Sequence, residues 1–437
     1  MKQLCIPVLA SIIFLIACKK EQEVVNVLPK TSSNLLKVSI DKILNDSTIL
    51  LRWDKSAIKN FKSYGLSRSA RVMKDGVFTN VSELIKTYWS ADSVTFLETS
   101  MPFANDITYT VTVVTDSGRI GGYGSVTYQR PNAYLQATVS DMLTDKSRKI
   151  IYLINKDNGT IISYDYAASK VLKSATLNTP LGYSSLGNYD GGTNNELYAP
   201  TSDGWLLILN TSDLTVKDKI YVGGTNVGSV VALNGKLFVS SSDLSFNLMD
   251  TKSLKVYNRA TKQVITRTGV WSNTRIAVLD SANYKMVDVT FNLLPTDLNF
   301  YQFGADGSLV KTFPDAYHGD HDLDGNIIRV FPGGSKFITA GSGTVYTDSL
   351  KFQTSLTYPY SRQLIDFDFN NTGDIIYAAF SQEKKISAFF YPSAIVDQTF
   401  STKLYPRKIF RDGNDLICVT TDNSYSNPIC FIEKFKL

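Results

Sequence analysis

From Leu35 onward, hydrophobic and polar residues alternate in short runs broken by Gly, Asn, Asp, Ser and Pro, which is the period-two pattern of half-buried β-strands. The first group of runs covers residues 38–40, 49–53, 64–69, 94–97 and 109–113. Turns at Gly118 and at Gly121-Gly122-Tyr123-Gly124 precede a last strand near 125–128. After Arg130-Pro131 a repeat of strand, turn, strand, turn, strand begins. Its first copy uses 150–155, 160–165 and 170–172, with a turn at Asp157-Asn158-Gly159. The second uses 196–200, 205–209 and 216–220, with a turn at Ser202-Asp203-Gly204, and the third uses 236–240, 254–258 and 263–265.

Each copy has a further strand upstream. These upstream strands fall near Leu143, Leu186, Val231, Ile276, Ile328, Ile365 and Ile409, a spacing of roughly 44 residues that suits four-stranded units. Seven such units fill the remaining length. The last one is a strand short, because the chain stops at Leu437 after one long strand, and residues 134–138 are predicted to supply the missing strand. Pairing the two ends in this way removes exposed edges. An all-β fold follows. A solenoid or two separate sandwiches are the alternatives to a closed array.

Ahead of these strands, Lys2 precedes an apolar stretch from Leu4 to Ala17 that is short for a bilayer span, so a signal peptide is expected rather than a membrane helix. It ends in Leu15-Ile16-Ala17-Cys18. Residues 18–33 are polar and lack a period, as a tether would be.

Four resemblances sharpen this outline. Leu15-Ile16-Ala17-Cys18 resembles the lipobox of bacterial lipoproteins, which implies cleavage after residue 17 and acylation of Cys18. Several acyl chains hold firmly, since each buried methylene adds about 0.8 kcal/mol. The charged stretch Lys19-Lys20-Glu21-Gln22-Glu23 resembles the export signal of Bacteroidota-type surface lipoproteins, which implies display on the outer face of the outer membrane; a simple solvated tether is the plain alternative. Residues 34–131 resemble a fibronectin type III domain, with Trp53 on the second strand, Tyr64 opening the next core strand and Tyr109 on the sixth. Residues 132–437 resemble YVTN-type propeller repeats, in which an apolar-aromatic strand is followed by one ending in Asp or Asn, as at Asp165 and Asn258. That resemblance implies a seven-bladed β-propeller closed by its own ends.

Composition agrees with a folded β protein. The 437 residues suit two or three domains, 43% of them are hydrophobic, and Tyr (24) and Phe (23) are abundant. A net charge of +5 without a dense Lys/Arg run argues against a nucleic-acid partner. Of the four cysteines, Cys5 would leave with the signal and Cys18 would carry lipid. Cys418 and Cys430 flank a turn-rich segment. If that hairpin is centred near Ser424, they face each other and an oxidising compartment allows a disulfide; two buried thiols are the alternative.

Catalytic signatures are missing. There is no GxSxG, HExxH, sialidase Asp box, P-loop or Rossmann fingerprint. The two histidines, His318 and His321, sit beside Asp320-x-Asp322-x-Asp324-Gly325, whose alternating carboxylates resemble the start of a calcium loop. Position twelve is Phe331 where an EF-hand has Glu, so the expectation is at most a shorter calcium site held by Asp320, Asp322 and Asp324, against a plain solvated turn. A transition-metal site of His and Asp side chains is the other alternative there.

The loops joining successive units carry Tyr183, Trp271, Tyr317, Tyr358, Tyr360 and Tyr405, with Arg275, Arg362 and Arg407 close by. Aromatic and Arg side chains on one rim can stack on sugars or anchor a protein. The alternative is that they wedge between units. An insertion at 242–250 adds Phe246, Leu248 and Met249 to that rim. The expected function is a lipid-anchored surface binding or scaffolding protein holding a partner protein or glycan, in the setting of an outer-membrane transporter complex. The alternatives are an extracellular glycan- or peptide-processing enzyme with its site at the propeller centre, or a structural surface component. Two or three carboxylates converging in the channel with shifted pKa values would favour catalysis, and a channel lined by aliphatic and small residues would favour binding.

Overall fold

Alternation from Leu35 to Arg130 builds two facing sheets. The structure, a computed structural model, describes residues 35–45, 48–74, 77–130, 134–189, 194–224, 226–242, 252–271, 274–291, 294–317, 319–422 and 428–437. Cys18, the tether, His318 and insertion residues 243–250 lie outside the described residues. Strands β1 (Val38–Asn45), β2 (Thr48–Trp53), β3 (Phe61–Lys74), β4 (Val77–Tyr88), β5 (Thr95–Glu98), β6 (Asp106–Thr115) and β7 (Ile120–Gln129) form one sheet in the order β1-β2-β5 and another in the order β4-β3-β6-β7. Burial along β6 alternates residue by residue, and its inward set Ile107, Tyr109, Val111 and Val113 meets Tyr64 and Leu66 of β3 and Ile49, Leu51 and Trp53 of β2. The indole of Trp53 stands edge-on to Tyr64, 5.9 Å between centroids.

Beyond residue 134 the chain forms seven four-stranded antiparallel sheets, and every position expected to mark an upstream strand falls in the first strand of one of them. Those first strands are Asp141–Asp145, Ser185–Gly187, Asn226–Leu233, Thr274–Asp280, Ile328–Val330, Leu364–Phe369 and Tyr405–Asp412, taken as sheets one to seven. Sheet seven has only three strands from the C-terminus. Its fourth is β8 (Leu135–Gln136), which pairs antiparallel with Ile429–Lys436.

The repeat has a local cause. Asp145, Asp165, Asn210, Asn258 and Asp280 each end a strand, and each side-chain oxygen accepts the backbone N–H two residues on, from Ser147, Ala167, Ser212, Ala260 and Ala282. Four residues after each Asp or Asn, at Lys149, Ser169, Leu214, Lys262 and Tyr284, φ is positive. The Asx side chain replaces a missing strand partner and turns the chain tightly, which is why these residue types recur at strand ends.

Second strands such as Glu196–Pro200 are buried at every position because both faces are covered. Tyr152 and Ile154 of sheet one meet Leu197 and Ala199 of sheet two. Tyr198 of sheet two then meets Val230 and Leu237 of sheet three. Sheets three and four share Phe238 and Met286, four and five share Val287 and Phe337, and five and six share Ile338 and Ile376. Ala379 of sheet six meets Ile409 of sheet seven, while Phe410, Ile417 and Val419 of sheet seven pack on Ile151 and Leu153 of sheet one.

The cysteine expectation needs correcting. Cys430 pairs in register with Thr421, and Cys418 with Glu433. The hairpin therefore sits three residues out from the register that a centre at Ser424 would give, and an odd offset in a pleated strand puts side chains on opposite faces. Cys418 lies in the core between sheets six and seven, Cys430 in the core between seven and one, and both are free thiols. Burial pushes the Cys418 thiol well up and that of Cys430 to about 12, so neither is a ready thiolate.

Candidate functional site

The first strands are short, lie side by side and are tied through side chains. Ser185 Oγ accepts the Ala232 N–H at 3.2 Å, Ser229 Oγ accepts that of Ile276 at 3.0 Å, and Asp366 Oδ2 accepts that of Ile409 at 2.9 Å. Between them is a cavity of about 280 Å³. Its wall takes Asp141 from sheet one, Tyr183 and Ser184 from the approach to sheet two, Val230 from sheet three, Arg275 from sheet four and Arg329 from sheet five. A larger recess of about 450 Å³ lies beside Tyr134 on the N-terminal unit, and its Arg71 and Asp106 are exposed.

Buried charge distinguishes the cavity. Arg275, 9% exposed, sets its guanidinium 3.8 Å from the Tyr183 ring centroid and donates to the Asn326 carbonyl at 2.8 Å. Its NH2 stands 3.7 Å from Asp141 Oδ1, an ion pair too long for a hydrogen bond. Lys156 Nζ lies 3.5 Å from the same Tyr183 centroid. Burial, reinforced by the like charges of Arg275 and Lys408 and only partly opposed by Asp141, lowers the Lys156 ammonium to about 8. The Tyr183 hydroxyl donates to Asn326 Oδ1 at 2.6 Å, and burial drives its acidity down.

On the far side, Arg329 donates to Asp366 at 2.9 Å and to the Phe367 carbonyl at 3.2 Å. Burial works against its charge, and Asp366 more than offsets that. Lys408 is only 6% exposed. Its pKa is lowered by burial and by Arg329 and Arg275, against the pull of Asp366 and Asp141. Among the described residues no hydrogen bond or ion pair reaches its ammonium. Asp141 Oδ1 and Ser184 Oγ are likewise buried without a hydrogen-bond partner.

The residues expected on a rim divide into four groups. Tyr183 and Arg275 meet in the cavity, and two cations within 4 Å cover the Tyr183 ring, which leaves it no face for a sugar. Tyr317 is a wedge: it packs into the core between sheets four and five, accepts the Phe352 N–H at 3.2 Å and stands edge-on to His321. Tyr358 (84% exposed), Tyr360 (57% exposed) and Arg362 lie together on the loop before sheet six, with Tyr360 donating to the Gly319 carbonyl at 3.0 Å. Trp271 is half-buried, as is Tyr405, which has Lys384 5.3 Å above its ring. Arg407 donates to Thr421 Oγ1 at 2.8 Å.

The three aspartates of the expected calcium loop do not converge, and among the described residues no group of three His, Cys, Asp or Glu side chains is placed to hold a metal. Asp322 accepts from Ser342 Oγ at 2.7 Å, while Asp324 accepts both the backbone N–H and the side-chain amide of Asn326, at 2.8 and 2.9 Å. The loop is thereby a strut. Asp324 fixes Asn326, and Asn326 holds Tyr183 and Arg275.

Asp141, Lys156, Asn326, Arg329, Asp366 and Lys408 were not anticipated. A signal existed: Arg329 and Asp366 follow, and Lys408 precedes, the apolar residue that marks a first strand, where a charge has no solvent to face unless a cavity is present. No protein-family model matches this chain, and no curated protein does either.

Proposed function

We propose that this protein is a lipid-anchored cell-surface binding protein in which a fibronectin type III-like sandwich raises a seven-bladed β-propeller from the outer membrane. The sandwich reading is supported by the three-plus-four strand order and the Trp53, Tyr64 and Tyr109 core. The propeller reading is supported by seven four-stranded sheets, by shared cores running from each sheet to the next and from seven back to one, and by β8 completing the C-terminal sheet. Cys18 and the apolar stretch before it support the anchor.

The observation that carries a binding role is the cavity on the first strands. It sits where a propeller gathers its blades; on its wall Asp141 faces Arg275, and Arg329 is held by Asp366 behind it. A carboxylate held against a guanidinium is fixed in orientation, which suits recognition. The exposed Tyr358, Tyr360 and Arg362 offer a second, outer contact for a partner protein or glycan.

Two fractions test this reading. Wild-type protein is expected in the membrane fraction and open to added protease on intact cells, and Cys18→Ala is expected to leave the membrane. Gentle solubilisation of the anchored protein should bring a bound partner or glycan with it. Equal membrane retention of Cys18→Ala would remove the anchor, and turnover of glycan or peptide by the purified chain would replace binding with catalysis.

A further inference from the structure

Sheet seven closes differently from the other six. Their fourth strands pair with their third strands over three to six positions. Each of those pairs is joined by a turn of four or five residues. β8 pairs with the last strand at two positions, Ile429↔Gln136 and Cys430↔Leu135, and one more backbone bond runs from the Ala137 N–H to the Pro428 carbonyl at 3.1 Å. No turn joins β8 to its partner. Nearly the whole repeat lies between them, and a long loop costs more entropy to close than a short one.

The N-terminal unit lies against this closure. Its loop 99–105 is fixed from within by Met101 and Ala104, both in the core of the two facing sheets. Arg130, itself buried, staples the same loop. Its backbone N–H donates to the Asn105 carbonyl at 2.7 Å, its Nε to that of Ala104 at 3.2 Å and its Nη2 to that of Pro102 at 3.4 Å. Between those inward residues Phe103 turns out and packs on Phe431 of the last strand, 4.4 Å between centroids. Tyr134, the residue before β8, stands edge-on to Phe103 at 5.0 Å and donates its hydroxyl to the Phe103 carbonyl at 2.9 Å. Lys403 completes the cluster, its ammonium 4.6 Å from the Phe103 centroid and 5.2 Å from that of Phe431. Glu433 of the last strand sets Lys403 in place by accepting its backbone N–H at 2.9 and 3.1 Å. Phe103 therefore touches both sides of the closing pair, the residue that leads into β8 and the strand that β8 completes. Aromatic pairs and a cation over the ring add stabilisation beyond the area they bury.

We propose that the N-terminal sandwich is the clasp of the ring: Phe103 seats Tyr134 against Phe431 and so holds β8 on the last strand. The two units then share stability at this joint, and the sandwich is more than a spacer. The clasp rests on the ring reading of the seven sheets.

The test is hydrogen exchange read by mass spectrometry on detergent-solubilised full-length protein. In wild type, residues 135–137 and Ile429–Lys436 should exchange slowly. Phe103→Ser should speed both segments by roughly tenfold or more. Glu196–Pro200 in sheet two and Asp106–Thr115 in the sandwich should keep their wild-type rates. Phe103→Leu, which keeps an apolar side chain at the joint, should restore most of the protection. Should Phe103→Ser unfold the sandwich, seen as fast exchange across Asp106–Thr115, Lys403→Met gives the answer from the propeller side, with a rise of roughly threefold at 135–137. Wild-type rates at 135–137 and Ile429–Lys436 in a folded Phe103→Ser, or at 135–137 in Lys403→Met where that variant unfolds, would overturn the clasp and leave the ring standing. Fast exchange at 135–137 already in wild type would overturn the ring closure and the clasp together.

Discussion

Arg259→Ala probes the joint between sheets two and three. Arg259 follows the third strand of sheet three and clasps Glu196 of sheet two with two hydrogen bonds of 3.0 and 2.8 Å, while its third nitrogen donates to Asp218 at 3.1 Å. Glu196 has no solvent exposure, and the Arg259 side chain has 5%. Burial pushes the Glu196 carboxyl up, but hydrogen bonds from Arg259, Lys217 and Tyr198 outweigh that and hold it below the usual range. Removing one partner of a buried pair costs about 3–5 kcal/mol, because the other charge is left desolvated. Lys217 stays 2.7 Å from Glu196 and Tyr198 still donates to it, which places the loss near the lower end, about 3 kcal/mol. In a unit of this size that is a fall in melting temperature of roughly 5 °C.

Thermal melts followed by circular dichroism at pH 7 are the assay, since a multidomain chain does not license a two-state extrapolation. Arg259→Met with Glu196→Met should recover much of the loss by removing both charges. The stabilisation from a depressed carboxylate is complete above its unfolded pKa of about 4.3 and is lost as pH falls through the lower folded value, so the penalty of Arg259→Ala should shrink in acid. A variant within a degree of wild type at pH 7, or a double variant whose losses simply add, would refute the reasoning.

Two further outcomes are expected. Asp288, buried in sheet four, accepts from Asn299 and Tyr301 at 3.2 Å each, and burial pushes its carboxyl up to about 7. A raised folded value on an acid destabilises progressively as pH climbs from about 4 to about 7, by up to ~4 kcal/mol, and no further above that. Asp288→Asn should therefore melt higher than wild type at pH 8 and lose most of that advantage at pH 5; the same difference at both would contradict the linkage. Leu135 of β8 is 8% exposed and packs with Cys430 and Phe410, so Leu135→Ala should cost about 2–3 kcal/mol and speed proteolysis of the last strand, and an unchanged cleavage rate would show that β8 does not secure the C-terminus.

Strand positions were legible because their causes are local. Alternation at 107–113 and the Asp or Asn closing each turn act through neighbours a few residues away, so Leu143, Ile276 or Ile409 could be placed on first strands from pattern alone. The pairing of residues 134–138 with the last strand was also visible, since one unit was a strand short. Hairpin register was not: a shift of three between Cys418 and Cys430 depends on a turn whose residues allow several centres, and that shift alone decides whether two thiols meet or part across a sheet.

The site lay further out of reach. Arg275 could be placed near a junction, yet its meeting with Asp141 on sheet one and with Asn326 beyond sheet four exists only once separate sheets are brought side by side. The Asp320–Asp324 pattern carried the residue types of a cation loop, and which way its carboxylates turn was decided by Ser342 and Asn326. Sequence by itself determined strands, turns and their count, because those follow from backbone preference and burial over a few residues. Tertiary structure alone decided which buried charges share one cavity, because electrostatic partners are chosen by distance in space and not along the chain.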